Sequence, residues 1–280
     1  MATTILLAGA FHVIMGISGI SACAQGRLEA RYEITMTRVP IGYIAWQVDI
    51  GNDFYAASAD GKASRILSVL MNGEASILAS GRIENGKLTP TLFRSSIIDE
   101  DGKTELQVIF AAGIAKESIS RQPLKRHELV PLADADRIGV TDPISAMLIP
   151  AIAHNGVLQP EDCNRMLPIF DGQRRYNFVL TYNRMDKFKI ARGYSGLALV
   201  CSAVLQPVGG YRTDSLVVKY IAGRHDIEFW FAPIAGTFVL APIRILVPTL
   251  IGTMRIQAEQ FDAVAGPVLN GLTPPKELPR

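Results

Sequence analysis

The stretch Leu28-Glu29-Ala30-Arg31-Tyr32-Glu33-Ile34-Thr35-Met36 decides the fold class. Its apolar side chains alternate with polar ones, the period of a strand that buries one face. The same period returns on both sides of the breaks that follow. After Arg38-Val39-Pro40 it resumes at Ile44, Trp46, Val48 and Ile50, which predicts a hairpin. Gly51-Asn52-Asp53 and Asp60-Gly61 read as turns bounding a strand over Phe54 to Ala59. Asn85-Gly86, between Ile83 and Leu88, is the strongest short hairpin signal, because a two-residue loop of this kind needs positive φ at both positions. Strands follow over 92–98 and around Leu106, Val108 and Phe110, with Asp99-Glu100-Asp101-Gly102 as the turn between them.

A polar, proline-punctuated crossing over Arg121 to Val140 leads to Thr141-Asp142-Pro143 and the apolar run Ile144 to Ala153. A capping side chain ahead of a proline is a helix start, since proline has no N–H to leave unpaired and its φ is preset. The run therefore predicts one short central helix near 143–153, a plug between two sets of strands. Asp171-Gly172 then turns Ile169-Phe170 into Tyr176, Phe178, Leu180 and Tyr182. Further strands are expected at 187–191, 197–205, 216–221, 227–231, 237–247 and 253–261. The apolar run from Phe229 to Gly252 is not a membrane span, because Pro233, Gly236, Pro242, Arg244 and Pro248 interrupt it. Two strands buried on both faces suit it better. The expectation is a mainly β fold, a curled antiparallel sheet or incomplete β-barrel.

Length and charge bound the rest. A chain of 280 residues with 49% hydrophobic and 19% charged residues buries a substantial core. A net charge of +2 gives no electrostatic footprint for nucleic acid. Residues 1–24 carry no charged side chain and end in Ala22-Cys23-Ala24, which reads as a signal peptide cleaved between Ala24 and Gln25, although a basic leading segment is missing. A lipid anchor on Cys23 and an uncleaved anchor are the other readings. The body is then a single β-rich domain over 25–264, its halves about 27–120 and 167–262 joined by the helical segment, with a frayed Gly/Pro-rich tail over 265–280.

Export gives the cysteines their meaning. Once Cys23 has left with the signal, Cys163 and Cys201 remain, an even number in an oxidising compartment. A disulfide is the simplest pairing. Two buried thiols are the alternative, and no Cys-x-x-Cys or paired His at ligand spacing points to a metal.

Catalytic patterns are weak throughout. His127, His154 and His225 lie in separate contexts, and Gly193-Tyr194-Ser195-Gly196 lacks the second spacer of a nucleophile elbow. Gly209-Gly210 lacks the Lys-Ser/Thr of a phosphate loop, and the Asp99–Gly102 turn lacks the alternating oxygen ligands of a calcium loop. Arg174-Arg175 suits a phosphate or carboxylate head group, but neighbours on a strand face opposite ways, so solvated surface is the plainer reading. No catalytic, cofactor or metal residue is therefore assigned. Trp46, Tyr176, Phe178, Phe229, Trp230 and Phe231, with Met147 and Leu148, either fill an ordinary core or line a greasy concave face that takes an apolar ligand.

Several short motifs also carry a resemblance. Val39-Pro40-Ile41-Gly42, the 61–70 segment, Gly86-Lys87-Leu88-Thr89-Pro90, Asp142-Pro143-Ile144-Ser145-Ala146-Met147-Leu148 and Phe170-Asp171-Gly172-Gln173-Arg174-Arg175-Tyr176 together cover about 27–262. In this order they resemble the exported bacterial family called domain of unknown function 3108, in its alphaproteobacterial branch. The resemblance implies a periplasmic or envelope location and a β-rich fold akin to lipoprotein-carrier half-barrels, and it brings no catalytic residue. The leading expectation is a non-enzymatic periplasmic protein that supports envelope integrity through protein contacts. The second is a carrier for a lipid or other apolar molecule in the concave face of the sheet. A hydrolase with an unrecognised site ranks last.

Overall fold

A computed structural model of the chain describes residues 25–63, 73–99, 102–121, 128–152 and 157–267. The segment 1–24, most of the 265–280 tail, His127 and His154 lie outside the described residues.

The first half is an up-and-down meander of β1 (Gly26–Met36), β2 (Val39–Ile50), β3 (Phe54–Ala63), β4 (Glu74–Glu84), β5 (Lys87–Asp99), β6 (Gly102–Ala111) and β7 (Ile114–Ser120). After a crossing that holds the short β8 (Ile149–Pro150), the second half adds β9 (Arg165–Phe170), β10 (Arg175–Lys189), β11 (Arg192–Gly193) and β12 (Ser195–Gly209). A helix, α1 (Leu216–Ala222), precedes β13 (Ile227–Pro233), β14 (Val239–Thr249) and β15 (Gly252–Ala265). The halves join where β1 and β15 pair antiparallel, from Gly26 opposite Ala265 to Met36 opposite Met254. One antiparallel sheet results, with β7 and β9 as its two ends.

Those two ends are brought together by the crossing. Ile138 bridges Ile114, and the Gly139 N–H donates to Gly113 O at 2.7 Å. Thr141 bridges Ile169, with N–H bonds of 2.8 Å to Pro168 O and 2.9 Å from Phe170. Ser118 Oγ also donates to Gly172 O at 2.8 Å. The sheet is thus a nearly closed barrel, as the alternating pattern predicts, and the crossing covers edges that would otherwise offer open backbone to another chain.

Strands β12, β13 and β14 are buried on both faces. Ala198, Val200, Trp230 and Val239 pack toward Leu28, Trp46 and Val48 of the first half. Leu199, Cys201, Phe229 and Leu240 pack the other way, toward Leu167, Ile169 and Leu180. A third cluster joins Phe93, Val108 and Phe110 to Val140 and Phe170. Trp46 and Trp230 are both buried, Trp230 beneath the guanidinium groups of Arg184 and Arg244.

The structure corrects two assignments. Over its described residues, 143–152, the run expected as a helix is not one: it makes a single 3-10 turn at Ser145–Met147 and then enters β8 beside β14. Asp142 does cap it, as expected, with Oδ1 accepting the N–H groups of Ile144 and Ser145, both at 2.9 Å. From Ile144 to Ile149 it touches core on every side. Ile144 meets the first and third clusters, Leu148 lies in the first, and Ala146 and Ile149 lie in the second. A segment with no solvent face has no helical period to keep, and Pro150 stops a helix from extending. It remains a plug. Conversely, the expected strand at 216–221 is the α-helix. Its Ser215 Oγ accepts the Val218 N–H at 3.3 Å, a cap that outweighs the β-branched composition.

Smaller differences are local. Asp60 and Gly61 do not turn but pair within β3, and the first hairpin turns at Thr37-Arg38, whose φ values are 48° and 74°. Asn85 and Gly86 adopt φ of 52° and 72°, as a two-residue hairpin loop demands.

Candidate functional site

Two sequence-derived candidates are plainly not assembled into a catalytic site. His225 is exposed between Arg224 and Asp226, which pair with each other. Ser195 is exposed at the start of β12, opposite Lys189. Among the described residues no group of three or more His, Cys, Asp or Glu side chains is placed to hold a metal ion.

Cys163 and Cys201 form a disulfide, with Cα atoms 5.5 Å apart and both residues fully buried. It ties the 3-10 turn Pro160–Cys163 to the middle of β12. The same turn holds the far end of the plug. Asp162 Oδ1 accepts the Ile152 N–H at 2.7 Å, and Arg165 Nη2 donates to Pro150 O at 3.0 Å.

The plug carries a buried polar chain. Tyr55 Oη donates to Ser145 Oγ at 2.8 Å, and Asp142 lies beside Ser145 with no exposed surface. Asp142 Oδ2 has no hydrogen-bond partner. Burial pushes its carboxyl up to about 6 against the bonds from Ser145 and Ile144 that favour the charged form. Burial also raises the Tyr55 phenol, with Asp142 adding to the effect. With Ser145 only 3% exposed, this chain is closed to a substrate.

The open site lies elsewhere, between α1 and the sheet. A half-open groove of about 490 Å³ has an apolar floor of Tyr176, Phe178, Leu205 and Val247, walled by Val218 and Ile221 of α1. That volume is in the range of small-molecule sites. Local rules build it: Tyr176 and Phe178 stand opposite Pro207 and Leu205 across the β10–β12 ladder, and Val218 and Ile221 share one helix face at i, i+3. Phe178 meets Phe229 edge-on, with ring centroids 5.4 Å apart.

Three arginines and Asp171 stand at its mouth. Arg174 and Arg175 both line the groove, contrary to the opposite-face expectation. Arg174 belongs to the turn before β10, where Asp171 Oδ1 accepts the N–H groups of Gln173 and Arg174 at 2.9 and 2.6 Å, so the period of two does not apply to it. Arg175 donates from Nη1 to Tyr176 O at 2.7 Å and to Asn177 Oδ1 at 2.6 Å. Its Nε is buried and has no acceptor. Burial lowers its guanidinium pKa, partly offset by Asp136. Arg212 is held by both oxygens of Asp214 at 2.9 and 2.8 Å. Gly210 makes the gathering possible: at φ +77°, any Cβ would lie 1.9 Å from Gln173 O. Sequence reading missed Arg212 and the helix wall. Ser215 with Val218, Ile221 and Gly223 is the cap, spacing and stop that signal them.

The molecule is thus a nearly closed antiparallel barrel with an apolar groove and a cationic mouth on its flank. The chain belongs to the family described as protein of unknown function DUF3108, whose family model matches residues 31–259. No curated protein matches it. Among solved structures it is similar to a beta-barrel-like protein of domain of unknown function DUF1849 from Brucella abortus, at 8% identity and a TM-score of 0.45, over 85% of this chain and 97% of that one.

Proposed function

We propose that the protein is a non-enzymatic binding protein of the cell envelope that holds an amphipathic anion in the groove beside α1. The apolar part of the ligand lies on Tyr176, Phe178 and Val247, and its carboxylate or phosphate meets Arg175, flanked by Arg174 and Arg212. The single observation that carries this is the convergence of Arg174, Arg175 and Arg212 on the mouth of a groove whose floor is apolar. A carboxylate or phosphate at that mouth would make charge-assisted hydrogen bonds, the stronger kind, with the guanidinium groups. The disulfide supports export, since such bonds persist in oxidising compartments such as the periplasm. This reading sets the ligand on the flank of the barrel rather than on its concave face.

Organic extraction of the purified protein followed by mass spectrometry, with titration by a fluorescent fatty acid, tests the reading. Binding is expected to weaken about 10-fold or more in Arg175→Gln, for the loss of a charge-assisted bond, and also for the uncharged methyl ester. Repeated extraction without lipid, together with no fatty-acid uptake, would sink it and leave protein contacts in support of the envelope as the remaining proposal.

A further inference from the structure

Two hairpin tips meet at one end of the barrel. The β1–β2 tip is Thr37-Arg38 and the β14–β15 tip is Leu250-Ile251. They are bound to each other, with the Thr37 N–H donating to Thr253 O at 3.1 Å and Thr37 Oγ1 to Ile251 O at 3.2 Å. Hairpin tips usually carry Gly, Asn, Asp or Ser, which tolerate turn backbone and stay hydrated. Here Ile251 is 76% exposed, Leu250 56% and Val39 48%. The helix lies at the same end, because α1 leads into β13, whose Glu228 stands opposite Leu246 near the close of β14. It adds exposed Leu216 and Val217.

The charge pattern selects what covers this end. No Asp or Glu occurs from Ile34 to Val48 or from Phe229 to Ala258, whereas Arg38, Arg244 and Arg255 fall within those stretches. Arg38 is exposed at the tip itself, and half-buried Arg255 sits one strand over, opposite Thr35. Apolar side chains at two hairpin tips, with Arg38 and Arg255 beside them and no carboxylate in the adjoining stretches of either hairpin, match the boundary of an anionic bilayer. A second copy docked tip to tip would bring cationic stretches together, whereas anionic head groups complement them.

We propose that this end of the barrel docks on an anionic lipid surface, Leu250 and Ile251 entering the interfacial layer while Arg38 and Arg255 lie against the head groups. The inference goes beyond the groove and does not depend on it, although the two are neighbours. Val247 lines the groove and lies three residues from Leu250, about 10 Å along a strand.

The test uses the chain from Gln25 onward, which holds all the described residues, sedimented with vesicles of phosphatidylglycerol and phosphatidylethanolamine or of phosphatidylcholine alone. The anionic vesicles are expected to retain the protein about 10-fold better, with the difference shrinking in high salt. The double variant Leu250→Ser/Ile251→Ser is expected to lose about 10-fold in vesicle affinity, and Arg38→Gln/Arg255→Gln several-fold. Unchanged thermal melting and unchanged fatty-acid titration in the same variants separate docking from folding and from the groove. Retention equal to the parent in the Leu250/Ile251 variant overturns the proposal. So does failure to bind either vesicle, or a dimer in sedimentation velocity that this variant dissociates.

Discussion

Replacing Asp142 by Asn tests how the plug is held. Asp142 has no exposed surface, and one of its oxygens is unpartnered, so its carboxyl is pushed up to about 6 from an ordinary 3.8. A raised carboxyl pKa means that the folded chain binds this proton more tightly than the unfolded chain. Between those two values the folded state holds more protons, so this group's contribution improves as pH falls. Above about 6 the full penalty of the buried charge is present, and below about 4 it is gone. The difference of roughly two units amounts to about 3 kcal/mol. Asn keeps Oδ1 as acceptor for Ile144 and Ser145 but does not titrate. Its buried NH2 adds a fixed cost of about 1–3 kcal/mol, which displaces the curve without tilting it. Urea unfolding of both proteins from pH 7.5 to 4 gives the difference in stability directly. Subtraction removes the opposing slope of carboxylates such as Glu228, held low chiefly by its bond to Arg184. The Asn variant is expected to lose about 3 kcal/mol relative to the parent as pH falls across this range. A difference that stays constant within about 0.5 kcal/mol would refute the burial argument.

Two further outcomes concern the frame of the site. Reducing Cys163–Cys201, whose separation is 38 residues, is expected to lower stability by about 4 kcal/mol on the chain-entropy estimate. Thiol labelling of the unreduced, denatured protein should find neither cysteine free, and two labelled thiols would remove the bond. Gly210→Ala places a methyl group against Gln173 O and forces positive φ on alanine, so a loss of at least ~2 kcal/mol is expected in chemical unfolding. Because Gly210 seats the Asp171–Arg174 turn, the same variant should also bind a fluorescent fatty acid more weakly. Parent-like values in both measurements would show that the turn does not depend on this close approach.

Much of the barrel was legible in the sequence because a strand with one buried face writes its period directly into the chain, as β1 does from Leu28 to Met36. Asn85-Gly86 fixed its turn through backbone chemistry alone, and an even pair of cysteines behind an export-like segment pointed to the bond between Cys163 and Cys201. These are local facts, or facts of composition. Whether Ile144 to Ile149 coils or extends is not local, because three cores meet around it and each takes a different side chain. The same holds for the short helix. Its β-branched residues favour a strand, and only the groove wall gives Val218 and Ile221 a common face to bury. The cationic mouth was the least visible feature. Arg174, Arg175 and Arg212 are brought together by a turn, a strand end and the glycine that lets them approach, and sequence separation carries no record of that distance. The chain alone determined most strands and several turns and made a cysteine pair the simplest expectation; tertiary structure decided what the plug became and where a ligand could sit, because both depend on surfaces that exist only after the sheet has curled.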